Sequence, residues 1–273
     1  MALSAYFKIL RPLNCIISAV AVFIGFSVAN LAVQFTMPLL MAMIAAFLIC
    51  GAGQAINDYY DAKIDKKIRP EKPIPSGKIS AKGAFAFSII LFILGIALSY
   101  FINIYAFVIA LTISLLLFCY SAFLGKYKYI GNWIVASGTA LTLVFGASVV
   151  LNFRIASILA LSALFANVAR ELTKDFEDLD ADLGFKTSLP QLLQGMKVKL
   201  LILTMYLAAI IVAFAPFALG LFRNLFYPAL VAVSGIIFIF AALLAFKNKF
   251  HKAQNFSKLG MIIALVAFFI GIF

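Results

Sequence analysis

The sequence predicts an all-α, polytopic membrane protein with nine transmembrane helices around a central cavity open to the cytoplasmic side and to lipid. Three observations predict it. The 273 residues are 65% hydrophobic and only 12% charged, with mean hydropathy +1.12, whereas soluble domains carry about 25% charge. Nine apolar segments can be drawn, each near the ~20 residues that a helix needs to cross a hydrocarbon core. Finally, basic residues fall almost entirely in alternate loops.

In order, the segments are 12–31, 38–60, 84–103, 104–122, 131–151, 155–173, 198–218, 225–246 and 256–273. The first exceeds a signal-peptide core of about 7–15 residues and is kept as a helix. The third and fourth meet at a tight turn near Asn103. Asn132 and Trp133 start the fifth and anchor it at the interface. The whole chain, 1–273, reads as one transmembrane domain.

Cytoplasmic loops collect Lys and Arg, and 20 of the 22 basic residues fall on the side of the N-terminus; only Arg154 and Arg223 fall on the other. This predicts a multi-pass cell-membrane protein with its N-terminus in the cytoplasm and its C-terminus outside. The net charge of +12 does not point to nucleic acid, because the basic residues punctuate apolar runs and form no continuous face. Cys15, Cys50 and Cys119 lie far apart within apolar runs, which excludes a disulfide framework or zinc spacing and marks them as packing residues. His251 is the only histidine, so His-based metal chemistry and a Ser-His-Asp triad are disfavoured. No feature of the sequence fixes an oligomeric state.

All ten carboxylates fall in two groups, at the cytoplasmic ends of the second and sixth spans. One comprises Asp58, Asp61, Asp65 and Glu71; the other comprises Glu171, Asp175, Glu177, Asp178, Asp180 and Asp182. Each contains DxxDxxxD, as Asp58–Asp61–Asp65 and as Asp175–Asp178–Asp182. Positions i, i+3 and i+7 lie within about 60° on a helix, so each trio is expected to share one face. Asn57 with Asp61, and Asp178 with Asp182, are i, i+4 pairs that let two oxygens converge on a cation.

One such motif alone reads equally well as an acidic helix end bathed in cytoplasm. Its repetition at matching ends, and the cost of carboxylates at membrane depth, favour a site. Like charges on one face repel unless cations neutralise them. Oxygen-only ligands suit Mg²⁺, which keeps several waters and binds through one or two carboxylates plus substrate phosphates. Two facing helices of this kind suggest one or more Mg²⁺ ions bridging protein and diphosphate. Glu177 and Asp180 are expected to point away, and Glu71 and Glu171 to be ordinary paired or solvated acids.

The loop after the first motif holds Pro70, Pro73 and Pro75, which prevent helix and stiffen the chain. It is expected to hold Arg69 and Lys72 at the carboxylate mouth, where their charges suit a diphosphate. On the next cytoplasmic turn, Tyr120 ends the fourth span and Lys126 is in reach of a phosphate from the opposite side.

These residues resemble the UbiA superfamily of intramembrane prenyltransferases, over the whole chain. Asn57 to Asp65 is similar to that family's NDxxDxxxD signature, Asp178 to Asp182 to the core of its second, preceded by Asp175, and Tyr120 with Lys126 to its Tyr-x5-Lys element. Where the family often has Asn before the Arg-Pro pair, this chain has Ile68. Within the superfamily, the runs 57–61, 69–77 and 170–178 are most similar to the archaeal enzymes acting on geranylgeranylglyceryl phosphate. Chlorophyll synthases share the Pro-Ile-Pro-Ser-Gly style of loop.

The resemblance implies Mg²⁺-dependent transfer of a geranylgeranyl group from geranylgeranyl diphosphate to the free hydroxyl of geranylgeranylglyceryl phosphate, releasing diphosphate, in membrane ether-lipid synthesis. It implies that Asn57, Asp61, Asp178 and Asp182 ligate two Mg²⁺ ions, and that Asp58, Asp65 and Asp175 complete the catalytic cluster or orient its basic partners. Arg69, Lys72, Tyr120 and Lys126 are implied to bind substrate. Two other readings stand beside it. One keeps the enzyme class but takes an aromatic quinone precursor or a chlorin acid as acceptor. The other is a cation channel or transporter with the acids as a binding ring, which would need charge continuing into the outer half.

Overall fold

The fold was obtained as a computed structural model, which describes residues 2–273. Among the described residues, nine helices are long and apolar enough to cross a membrane. A short helix α1 (Ala2–Ile9) precedes α2 (Pro12–Asn30) and α3 (Met37–Tyr60); α4 (Ala62–Ile68) is again short. Then come α5 (Ala81–Tyr100) and α6 (Ile104–Cys119), the latter extended by one π-helical turn, Tyr120–Leu124. After α7 (Lys128–Ser148) and α8 (Arg154–Glu177) stand two single turns, α9 (Leu179–Asp182) and α10 (Leu189–Leu192). The last spans are α11 (Gly195–Ala218), α12 (Phe226–Phe246) and α13 (Phe250–Ile270).

Local chemistry sets the ends. Pro12 and Pro38 sit in the first turns of α2 and α3, where a missing N–H costs nothing. Thr36, Ser80 and Asn103 accept hydrogen bonds from the amides of Leu39, Gly83 and Ala106 at 3.3, 3.0 and 2.9 Å, capping α3, α5 and α6. Several spans run beyond their apolar segments; among them, α7 begins at Lys128, α8 continues to Glu177, and α13 begins at Phe250. A helix can continue into the interface when its polar side chains find partners or water. Lys128 finds carboxylates, while Lys252 is exposed.

The packing repeats. α2 packs on α3, α3 on α5 and α5 on α6; in the same way α7 packs on α8, α8 on α11 and α11 on α12. The two four-helix units meet where α2 lies against α7, and α13 seals the side formed by α12, α8 and α2. Glycine permits that central contact. A Cβ at Gly25 would collide with the backbone of Leu143, and one at Gly146 with the backbone of Val22. Small residues that let backbones touch are the usual device of helix association in lipid. Since backbone cannot swing aside as a side chain can, Gly146→Ala is expected to lower stability in detergent by about 1–3 kcal/mol. A thermal-unfolding curve unchanged from wild type would contradict this.

Candidate active site

Both acidic motifs bend at their central residue. Each trio was expected on one uninterrupted helix face, but α3 ends at Tyr60 and α8 at Glu177. Asp61 (φ −80°, ψ −2°) and Asp178 (φ −87°, ψ 2°) join each span to the short helix that follows. With ψ near zero these residues occupy the bridge region, sparsely populated and frequent at active sites. The i→i−4 bonds persist across both bends, Asp65 N–H to Asp61 O at 2.8 Å and Asp182 N–H to Asp178 O at 2.9 Å. The third aspartate therefore stays about one turn beyond the second.

A lysine clamps the outer two carboxylates of each trio. Lys72 Nζ stands 3.0 Å from Asp58 and 2.7 Å from Asp65. Lys128 Nζ stands 3.0 Å from Asp175 and 2.7 Å from Asp182. Asp175 is fully buried; its Oδ2 accepts from Asn132 Nδ2 at 2.7 Å, while its Oδ1 has Lys128 at ion-pair distance but off the hydrogen-bond angle. Burial raises the Asp65 carboxyl above the usual carboxylate range, and the Lys72 ammonium opposes the rise.

The central aspartates are tied across the repeat. Arg69, from the loop after the first motif, approaches Asp178 at 3.5 Å. Lys186, from the loop after the second, reaches Asp61 at 2.8 Å. Asn57 donates to Asp61 at 3.1 Å. The second loop is pinned to the start of α7 by a parallel bridge, Tyr127 beside Thr187, with Lys128 N–H bonded to Thr187 O at 2.9 Å.

These groups ring the mouth of a cavity of about 360 Å³. Seven basic and five acidic side chains line it, so the mouth carries net positive charge suited to a polyanion. All of them come from helix ends and loops on one side. Its deeper part is walled by Ala46 and Ile49 of α3, Ala110 and Ile113 of α6, and Phe145 of α7, so no charged path continues toward the other side, as a channel would need.

Of the residues singled out in the sequence, Asn57, Asp61, Asp65, Arg69, Lys72, Tyr120, Asp178 and Asp182 line the cavity. Asp58 and Asp175 lie just behind, holding the lysines. Tyr120 heads the π-helical turn, a distortion frequent at functional sites, and its ring lies so close over Gly131 that a Cβ there would strike it. Lys126 is different: its side chain is exposed and does not line the cavity. Its carbonyl accepts from Thr187 N–H at 2.7 Å, and the lysine that enters the site is Lys128, two residues on and inside the helix. Asn132, expected as an interfacial residue, is buried against Asp175.

Three further participants had no distinct signal. Arg11 adopts a left-handed backbone (φ 50°) just before Pro12, and that strained turn aims its guanidinium at Asp58, 2.7 Å, and Gln54, 2.6 Å. Glu171 is buried, pairs with Arg170 and lines the cavity. Cys50 lines it too. Glu177 does turn away, to His251 at 2.9 Å and to Gln254.

The donor set fits Mg²⁺. Among the described residues no three His, Cys, Asp or Glu side chains converge into a protein-only metal cage. Asn57, Asp61 and Asp178 instead offer oxygens into one cavity, the sparse set of a cation whose shell is completed by water and phosphate.

The sequence pattern of the UbiA prenyltransferase family matches residues 18–270. Digeranylgeranylglyceryl phosphate synthase of Thermococcus kodakarensis is 35% identical over 276 residues, covering 99% of this chain and 98% of its own. A solved structure of digeranylgeranylglyceryl phosphate synthase in membranes matches with TM-score 0.86 at 35% identity, over 99% of this chain and 98% of that one. A UbiA homolog from Archaeoglobus fulgidus bound to GPP and Mg²⁺ shares the fold, with TM-score 0.69 at 17% identity over 97% and 99% of the two chains. Two bent aspartate motifs facing one cavity between repeated four-helix units, together with these full-length matches, establish that the chain belongs to the UbiA prenyltransferase family.

Proposed function

We propose that this protein transfers a geranylgeranyl group from geranylgeranyl diphosphate to the free hydroxyl of geranylgeranylglyceryl phosphate, releasing diphosphate. The observation that carries the acceptor is full-length similarity, at 35% identity, to digeranylgeranylglyceryl phosphate synthase. The cavity suits the donor: a cationic mouth for the diphosphate and an apolar interior for the chain. Asn57, Asp61, Asp178 and Asp182 are the residues that would hold Mg²⁺, the metal bound with GPP in a UbiA homolog of the same fold. When bound, the metal neutralises charge growing on the departing diphosphate.

The chain's own residues do the rest. Arg69, Lys72 and Lys186 stand where phosphate oxygens would lie and stabilise the leaving group as the allylic C–O bond breaks. Tyr120 lines the cavity, where an aromatic ring would favour the positive charge that develops on the allylic carbon. The apolar helices keep water from that carbon, so the acceptor hydroxyl is the nucleophile that forms the new C–O bond. Asp58 and Asp65 are engaged by Lys72, which leaves the released diphosphate to take the hydroxyl proton. The mouth faces the cytoplasm with the N-terminus, as the distribution of basic residues supports.

The test is a panel of acceptors given geranylgeranyl diphosphate and Mg²⁺, with products read by mass. The diether phosphate is expected, and its formation should cease when the metal is chelated. Products from aromatic acceptors or a chlorin acid alone would overturn the assignment.

A further inference from the structure

We propose that Gly138 sets the length of isoprenoid chain that the cavity accepts, an inference that rests on the donor-binding reading above. α7 runs along the cavity, lining it with Lys128 at the mouth, then Asn132, Val135, Gly138, Thr142 and Phe145. Gly138 lies about 15 Å along the helix axis from Lys128, past the charged mouth and within the apolar part.

Glycine is a poor residue for a helix interior, and elsewhere in α7 its presence has a packing reason. Gly131 accommodates the Tyr120 ring and Gly146 the backbone of Val22. Gly138 has none: a Cβ built there meets nothing within 4 Å. The missing side chain therefore leaves open space in the cavity, whose lining also includes the small residues Ala46 and Ala110. A donor whose diphosphate is held at the mouth must lay its distal isoprene units along this stretch. A large side chain at 138 would occupy their place without touching the carboxylates.

The test uses the full chain in detergent or nanodiscs with geranyl, farnesyl and geranylgeranyl diphosphates as donors, and G138A, G138L and G138F as variants. G138A should keep the wild-type order of donors. In G138L and G138F, the kcat/KM ratio of the geranylgeranyl over the geranyl donor should fall by at least about tenfold, as expected when a pocket loses room for several methylenes. The melting temperature should stay near wild type, and transfer from the geranyl donor should fall less than transfer from the geranylgeranyl donor. Affinities for non-reacting thiolodiphosphate analogues of the three donors should shift in the same order. An unmoved ratio in a folded variant overturns the inference, and so does equal loss for all three donors. Should the wild-type protein transfer no donor at all, the functional reading fails, and the analogue affinities still decide whether Gly138 discriminates by length.

Discussion

Replacing Asp61 or Asp178 by Ala is expected to reduce diphosphate release by about 10³-fold, the scale seen when one preorganised electrostatic contact to a transition state is removed. These two aspartates differ from the other four. Lys72 and Lys128 hold the outer carboxylates of each trio at 2.7–3.0 Å, whereas the central ones sit at the bends, and Asp178 has Lys128 only at 3.5 Å. Their partners Arg69 and Lys186 come from loops, and both of those side chains also line the cavity. Were Arg69 and Lys186 to turn to diphosphate oxygens, Asp61 would lose its lysine partner and Asp178 would keep only the longer Lys128 contact, so both would be available to a cation. Asn in place of either Asp retains an oxygen but loses the charge, and is expected to lie between Ala and wild type. Turnover of the folded Ala variants within tenfold of wild type would remove these residues from the metal site.

Lys128→Met should produce the largest loss of stability. The lysine side chain is 12% exposed, and Asp175, one of its partners, 1%. Stripping one partner from a buried charge cluster costs about 3–5 kcal/mol, because the remaining charges stay desolvated and uncompensated. Combining K128M with Asp182→Asn should recover part of the loss, since one of the stranded carboxylates is then neutral. Thermal unfolding of both variants in detergent reads the effect. A single variant as stable as wild type would mean that water already screens the cluster.

Much of the fold was legible because hydropathy and loop charge are independent signals that agreed on nine spans. The acid motifs were legible as composition: in a chain with ten carboxylates, two matching DxxDxxxD patterns stand out. The bends at Asp61 and Asp178 were not, because the helical spacing of each trio is the same whether or not ψ relaxes toward zero at its middle residue. Lys126 and Lys128 both read as loop lysines, and choosing between them required knowing where α7 begins. Apolar content placed that start at 131, but a helix can begin earlier when its first side chain is paid for by buried carboxylates. Arg11 sits in a left-handed turn that no local pattern announces, and its contact with Asp58 spans 47 positions of chain.

The crossed ties of Arg69 to Asp178 and Lys186 to Asp61 also order the protein's biogenesis. Synthesis runs from the N-terminus, so the first motif is made and inserted long before the loop that carries Lys186. Until then Asp61 lacks its Lys186 partner and has only Asn57 of its own helix. Arrival of α7 and α8 brings Lys128, Asp178 and Lys186 together, so the site of the first half is finished only by the late-born residues of the second.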